Sequence, residues 1–218
     1  MYSDTALQKN VIEELAWEPA LAATEIGVAA KDGVVTLSGK VHTYSQKYAA
    51  EKAVHRILGV NALADDLEVH LLPEHKRNET EIAHAVLNTF AWNVAVPEDK
   101  IQVDVEDGWV TLRGQVDWDY QRRAAEESVR SLTGVRGVSN MIVVMPRASV
   151  SDVKRKIESA LKRHAEVDSK CVQVSASDGK VTLRGAVRSW TERNDVERAA
   201  WAAPGVRQVE DLLTIGVA

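Results

Sequence analysis

The sequence predicts an α+β protein: three tandem αββαβ repeats, each a three-stranded mixed sheet with two helices on one face. Three observations lead there. The stretch Asp32-Gly33-Val34-Val35-Thr36-Leu37-Ser38-Gly39-Lys40-Val41 recurs as Asp107-Gly108-Trp109-Val110-Thr111-Leu112-Arg113-Gly114-Gln115-Val116 and as Asp178-Gly179-Lys180-Val181-Thr182-Leu183-Arg184-Gly185-Ala186-Val187. A second landmark, Gly59-Val60, Gly134-Val135 and Gly205-Val206, keeps the same register, with both landmarks spaced by 75 and then 71 residues. Around these landmarks the apolar residues follow the same succession of helical and alternating periods in every copy. The units run over residues 3–72, 78–146 and 149–218. Their linkers, Pro73-Glu74-His75-Lys76-Arg77 and Pro146-Arg147-Ala148, are short and unlike Gly/Ser tethers, so the copies should be held close together.

Each unit opens with an amphipathic helix whose buried stripe is Leu7, Val11, Leu15 in copy one, then Ile82, Val86, Phe90, then Val153, Ile157, Leu161. Thr5, Thr80 and Ser151 stand just before the stripes, where an N-cap is expected. A strand with alternating apolar residues follows: Ile26 and Val28; Ile101, Val103 and Val105; Val172 and Val174. Asp-Gly then supplies the positive φ of a tight hairpin turn at Gly33, Gly108 and Gly179, leading into the Val-Thr-Leu strand. Residues 43–58, 118–133 and 189–203 read as the second helix, with stripes Ala50, Val54, Ile57; Ala125, Val129, Leu132; and Val196, Ala200, Ala203. Gly59, Gly134 and Gly205 are expected to end it as C′ glycines. The last strand carries Leu67 and Val69, Ile142 and Val144, or Leu213 and Ile215. A helix lying between strands two and three makes those two strands parallel.

The 218 residues carry 27 Lys+Arg against 32 Asp+Glu, a net charge of -5, which argues against a general nucleic-acid binder. One cysteine, Cys171, makes no internal disulfide framework. The first ten residues have no basic and apolar leader, and no segment approaches the roughly 20 apolar residues of a membrane span. The expected address is the cytoplasm, with peripheral contact to the envelope left open.

This αββαβ unit, with D-G-x-V-x-L-x-G-x-V and then Gly-Val before the last strand, resembles the BON domain, and all three copies match. The resemblance implies a bacterial interaction module of stress and envelope proteins, including osmotic stress, that binds phospholipid surfaces or protein partners. It brings no catalytic motif. A cytoplasmic potassium-sensing member of the family suggests a cation sensor as the alternative, and a homo-oligomeric structural module is a further one.

The residues themselves offer little chemistry. Six His share no metal-ligand spacing, and Cys171 stands where the other copies carry Glu25 and Lys100. No nucleophile elbow is visible, so an enzyme, a metal site and a cofactor are not expected. Gly134-Val135-Arg136-Gly137 has the form of a KH-type GxxG loop, but the second glycine does not recur. The acidic clusters Asp65-Asp66-Leu67-Glu68 and Asp104-Val105-Glu106-Asp107 lack a repeated ligand set and read as solvated carboxylates.

Charge is uneven: copies one and two are net -4 and -5, and copy three is net +2. The basic excess sits on the third copy's first helix, where Lys154, Arg155, Lys156, Lys162 and Arg163 flank the apolar stripe. Such a helix either docks on anionic phospholipid or presents an ordinary solvated face. The composition also holds six Trp against one Phe. Trp17 and Trp92 recur at one position and are expected to cap the core. Trp109, Trp118 and Trp190 are candidate docking aromatics, and Trp201 is expected to face away from its helix's stripe. Membrane contact, self-association, other protein partners and burial between repeats all suit such side chains.

Overall fold

The computed structural model describes residues 3–21, 26–145, 153–161, 171–177 and 179–216, and these form six α-helices and nine strands. Copy one is α1 (Asp4–Trp17), β1 (Ile26–Lys31), β2 (Val34–Val41), α2 (Tyr44–His55) and β3 (Ala62–Val69). Copy two is α3 (Glu79–Ala91), β4 (Ile101–Glu106), β5 (Trp109–Val116), α4 (Asp119–Arg130) and β6 (Gly137–Val144). Copy three is α5 (Val153–Leu161), β7 (Val172–Ser177), β8 (Lys180–Val187), α6 (Trp190–Trp201) and β9 (Gln208–Ile215).

Each copy folds the same way because the same residues recur. The middle strand pairs antiparallel with the first and parallel with the third, so each sheet is mixed and three-stranded. Asp32 and Gly33 have φ of 51° and 78°, and Asp107 and Gly108 have 48° and 76°. Two successive left-handed residues make the tight turn whose twist matches a hairpin. Asp178 lies outside the described residues. The glycine six residues further on is a second requirement: Gly114 has φ of 144°, and a Cβ there would run into the Lys100 carbonyl oxygen.

One face of each sheet is buried under the two helices. In copy one Leu7, Val11 and Leu15 meet Val35, Leu37, Val41, Val54 and Leu67, all nearly inaccessible. Copies two and three repeat the pattern, and their two cores run together into one apolar cluster.

Three local expectations are corrected. The N-caps are Ser3, which accepts from the Ala6 N–H at 3.2 Å, and Asn78, which accepts from the Glu81 N–H at 2.9 Å. Thr5 and Thr80 lie inside the first turn, because the cap two residues earlier already satisfies the free N–H groups; Ser151 is outside the described residues. The second helices stop at His55, Arg130 and Trp201, three residues short of residue 58 and residue 133 and two short of residue 203. After that the chain tightens into i→i−3 bonds, such as Ile57 N–H to the Val54 carbonyl and Leu132 N–H to Val129. Gly59, Gly134 and Gly205 therefore end this extra turn, at φ of 94°, 96° and 90°, and are not C′ residues.

The second helices also join the copies. Residues 55, 130 and 201 occupy one register position. His55 stacks on Trp190 of α6, ring centres 4.6 Å apart and planes 16° apart. Arg130 lies over the Tyr48 ring of α2 at 3.5 Å, and its carbonyl accepts from Ser45 Oγ at 3.2 Å. Trp201 sits under the Arg122 guanidinium of α4 at 4.7 Å. The end of α2 thus leans on copy three, the end of α6 on copy two, and the end of α4 on copy one. These are the contacts of a closed head-to-tail ring, a three-fold cyclic arrangement made from one chain.

Replacing Gly114 with Ala should destabilise the protein by roughly 2 kcal/mol or more, through the carbonyl collision and the left-handed backbone. Gly216→Ala, which meets nothing within 4 Å, should leave stability unchanged. Urea denaturation of the two variants measures both effects.

Candidate functional site

Three surfaces compete for a functional role: the seams of the ring, the first helices and the open sheet faces. At the seams the same polar triad is built three times. In copy one Lys47 Nζ lies 3.1 Å from the Asp65 carboxylate and donates to the Leu67 carbonyl at 2.8 Å. The Glu51 carboxyl shares a hydrogen bond with Asp65. In copy two the register equivalents are Arg122, Asn140 and Glu126, and Asn140 Nδ2 donates to the Arg122 carbonyl at 2.9 Å and to Glu126 at 3.0 Å. In copy three they are Arg193, Asp211 and Glu197; Arg193 pairs with Asp211 at 2.6 Å, and Glu197 accepts from Trp201 Nε1 at 3.2 Å.

The chemistry differs between these sets. Copy two replaces one carboxylate with a neutral amide. Copy three uses an Arg and an indole N–H as donors. Copy one alone brings two carboxyl groups together beside a single Lys. Burial, the hydrogen bond to Asp65 and repulsion from it push Glu51 up to about 7, against the opposing pull of Lys47 and Arg130. Burial also raises Tyr44, whose hydroxyl meets the Val138 backbone across the seam, and lowers His55.

The tryptophans divide differently from the sequence expectation. Trp17 and Trp92 do not cap the core: they are 84% and 91% exposed, because the core closes on Leu15 and Phe90 two residues earlier, on the opposite side of the helix. Trp201 does not face solvent. It is buried at the seam, because α4 of copy two covers the side of α6 that its own sheet leaves open. Trp190, expected as a docking aromatic, is half-buried between His55 and the Arg193 guanidinium, 5.0 Å from its ring, so it joins copies one and three. The second-helix periodicity could not reveal this, since the partner is another copy.

Trp109 and Trp118 remain exposed. Trp109 lies flat on its sheet, its ring filling the place of a Gly137 side chain and its Nε1–H donating to Ser139 Oγ at 2.8 Å. Lys154, Arg155 and Lys156 are exposed on α5, with Lys154 3.8 Å from Glu158; Lys162 and Arg163 lie outside the described residues. By register, position 163 is the third-copy counterpart of Trp17 and Trp92. The basic helix and the two helices that end at these tryptophans are therefore one element in three copies. The acidic clusters are partly occupied: Asp65 by Lys47 and the Leu67 N–H, and Asp104 by Arg113 at 2.9 Å. Among the described residues no helix is long and apolar enough to cross a membrane.

The family model of the BON domain matches residues 3–70, 78–146 and 149–217. The chain is 29% identical over 141 residues to osmotically-inducible protein Y of Escherichia coli (strain K12), spanning 63% of this chain and 70% of that protein. Among solved structures it is similar to CdsD, a structural protein of the Type III secretion system of Chlamydia trachomatis. That likeness has 14% identity and a TM-score of 0.25 over 96% of this chain and 92% of that one. The C-terminal domain of CdsD gives 13% identity and a TM-score of 0.26 over 99% of this chain and all of that one. Scores this low carry no weight for how the copies are arranged.

The carboxyl pair makes stability depend on pH with a definite sign. Glu51 holds its proton more tightly folded than unfolded, so its contribution is complete below its ordinary value of 4.5 and is lost as pH rises through about 7. Glu51→Gln, which keeps the hydrogen bond to Asp65 without a charge, should match the parent's melting temperature near about pH 5 and exceed it near about pH 8. Thermal melts of both proteins across that range measure it; parallel curves would contradict the assignment.

Proposed function

The chain belongs to the BON domain family, and on that premise we propose that it is a non-enzymatic, stress-related protein that docks on phospholipid surfaces at the envelope. The docking surface in this reading is the set of three first helices, α1, α3 and α5. The observation that supports it is the pair Trp17 and Trp92, the two most exposed aromatic side chains among the described residues, standing at one register position in two copies. An indole left in water at such a position loses most of its apolar contact area. At a bilayer interface the ring enters the headgroup layer while its N–H stays hydrated. Two anchors at matched positions on a cyclic arrangement can insert together, which a single exposed Trp could not do.

The third helix adds charge in place of an anchor. Lys154, Arg155 and Lys156 each contribute about 1 kcal/mol near an anionic surface at moderate salt. The acidic first and second copies oppose this attraction, so binding in this reading rests on the indoles and is tuned by α5. The stress context enters from the name of the Escherichia coli relative. A protein partner is the second reading, since an exposed indole pair also suits a polar-rimmed protein interface.

Co-sedimentation with phosphatidylcholine vesicles, with and without phosphatidylglycerol, separates these readings. The parent chain should bind at low salt and bind better as phosphatidylglycerol increases. Trp17→Ser with Trp92→Ser should lower binding at least tenfold, and Lys154→Glu with Lys156→Glu should remove the preference for the anionic lipid. No sedimentation of the parent at low salt sinks the lipid reading. Unchanged binding by the double Trp variant shows that the surface lies elsewhere.

A further inference from the structure

The open faces of the three sheets, which carry no helix, are unlike one another, and that of copy two is the most apolar. Along β6 the outward side chains are Met141, Val143 and, just past the strand, Met145, which are 57%, 53% and 49% exposed. The same positions in copy one are Asp66, Glu68 and His70, and in copy three Leu212, Thr214 and Gly216. Trp109, half exposed, extends the row toward Gly137. β6 is also a sheet edge, pairing only with β5; the Tyr44 hydroxyl meets the Val138 backbone near its start, and its second half has no other described strand beside it.

Edge strands of this kind are normally blunted by charge. β3 carries Asp65, Asp66 and Glu68, and β9 carries Glu210 and Asp211, whereas β6 and the residue after it carry no charge from Gly137 to Met145. A second protective device is present on all three edges: the side chain of Asp65, Asn140 or Asp211 accepts from the edge N–H two residues on, at 3.0, 3.2 and 2.9 Å. In β6 alone that acceptor is a neutral amide, which holds the N–H less tightly than a carboxylate.

The segment reads Met141-Ile142-Val143-Val144-Met145, the same pattern in either direction apart from Ile against Val. We propose that β6 is a self-association surface, two chains pairing these edges antiparallel about a two-fold axis through Val143. Met141 then lies opposite the partner's Met145, Ile142 opposite Val144 and Val143 opposite itself, so both faces meet like with like. The same pairing through β3 would set Glu68 against Glu68, a like-charge clash, and through β9 would set Leu212 against Gly216, so of the three edges β6 is the one that is apolar and matched throughout.

The hydrogen-bond parity fits this axis. Met145 N–H donates to the Val116 carbonyl at 2.8 Å, so residues 141, 143 and 145 direct their backbone groups toward β5. Ile142 and Val144 direct theirs to the free edge. Val144 N–H and the Ile142 carbonyl can bond across the axis at once, and the Ile142 N–H follows when Asn140 turns aside. Val143 then forms a non-hydrogen-bonded pair with its counterpart, at a Cα separation of about 4.5 Å.

Two measurements on the full chain test this. Light scattering behind size exclusion, at concentrations up to about 500 micromolar, should find mass rising toward twice the 24.0 kDa chain. Val143→Lys should hold the chain at a single mass, with an unchanged circular dichroism spectrum. In a Cys171→Ser background, Val143→Cys should form an interchain disulfide under mild oxidation, since the pair falls within disulfide reach, and Met141→Cys should not. A parent that stays monomeric throughout, a dimer that survives Val143→Lys, or equal cross-linking at both cysteine positions overturns the proposal.

Discussion

Everything in this molecule depends on a shortage of core. A copy of about 70 residues buries too small a fraction of its surface to be robust alone. Its second helix packs one side on the three-stranded sheet and leaves the helix's own outer side without cover. The ring of seams supplies that cover. His55 against Trp190, Arg130 against Tyr48, and Trp201 against Arg122 are one contact made three times with different side chains. Tyr44 packs against the joint core of copies two and three, and Trp190 against the core of copy one. Stability is thereby shared around the ring.

The same closure explains the uneven charge. A net +2 copy is flanked on both sides by copies of net -4 and -5. At the seams charge is handled locally. Asp119, 3% exposed, is clasped by both Arg122 and Arg123, the pairing a buried carboxylate requires. The first copy's Glu51 and Asp65 are bonded by Lys47 alone, with Arg130 acting on Glu51 from the neighbouring copy, and they share a proton, which makes that copy the chemically distinct member.

The fold was legible because its signals are local. Asp-Gly turns, alternating strands and i, i+4 stripes are written in single stretches, and three copies of each removed ambiguity. Helix ends were less legible: Gly59, Gly134 and Gly205 do have positive φ, but an intervening tight turn separates them from the helix, and composition does not distinguish the two. The tryptophans were misjudged for a different reason. Trp201 looked outward because periodicity on one helix knows only that helix's own sheet. Recurrence at one position suggests packing for Trp17 and Trp92, yet the core closes on Leu15 and Phe90 two residues earlier, on the other side of the helix. The basic residues of α5 were visible from the start; their equivalence to the Trp positions emerged only from the register combined with the ring.

The three seams are alike in place but not in chemistry, and this has an informational consequence. Were they identical, any copy could follow any other, and two chains could trade copies without loss. With a histidine on an indole, a guanidinium on a phenol, and an indole under a guanidinium, each junction has its own chemistry. The order of the copies is thus written twice, once in the covalent linkers and once in the fit of unlike side chains. A shuffled arrangement would replace all three pairs at once, so the divergence of the copies distinguishes one assembly of a repetitive chain from its permutations.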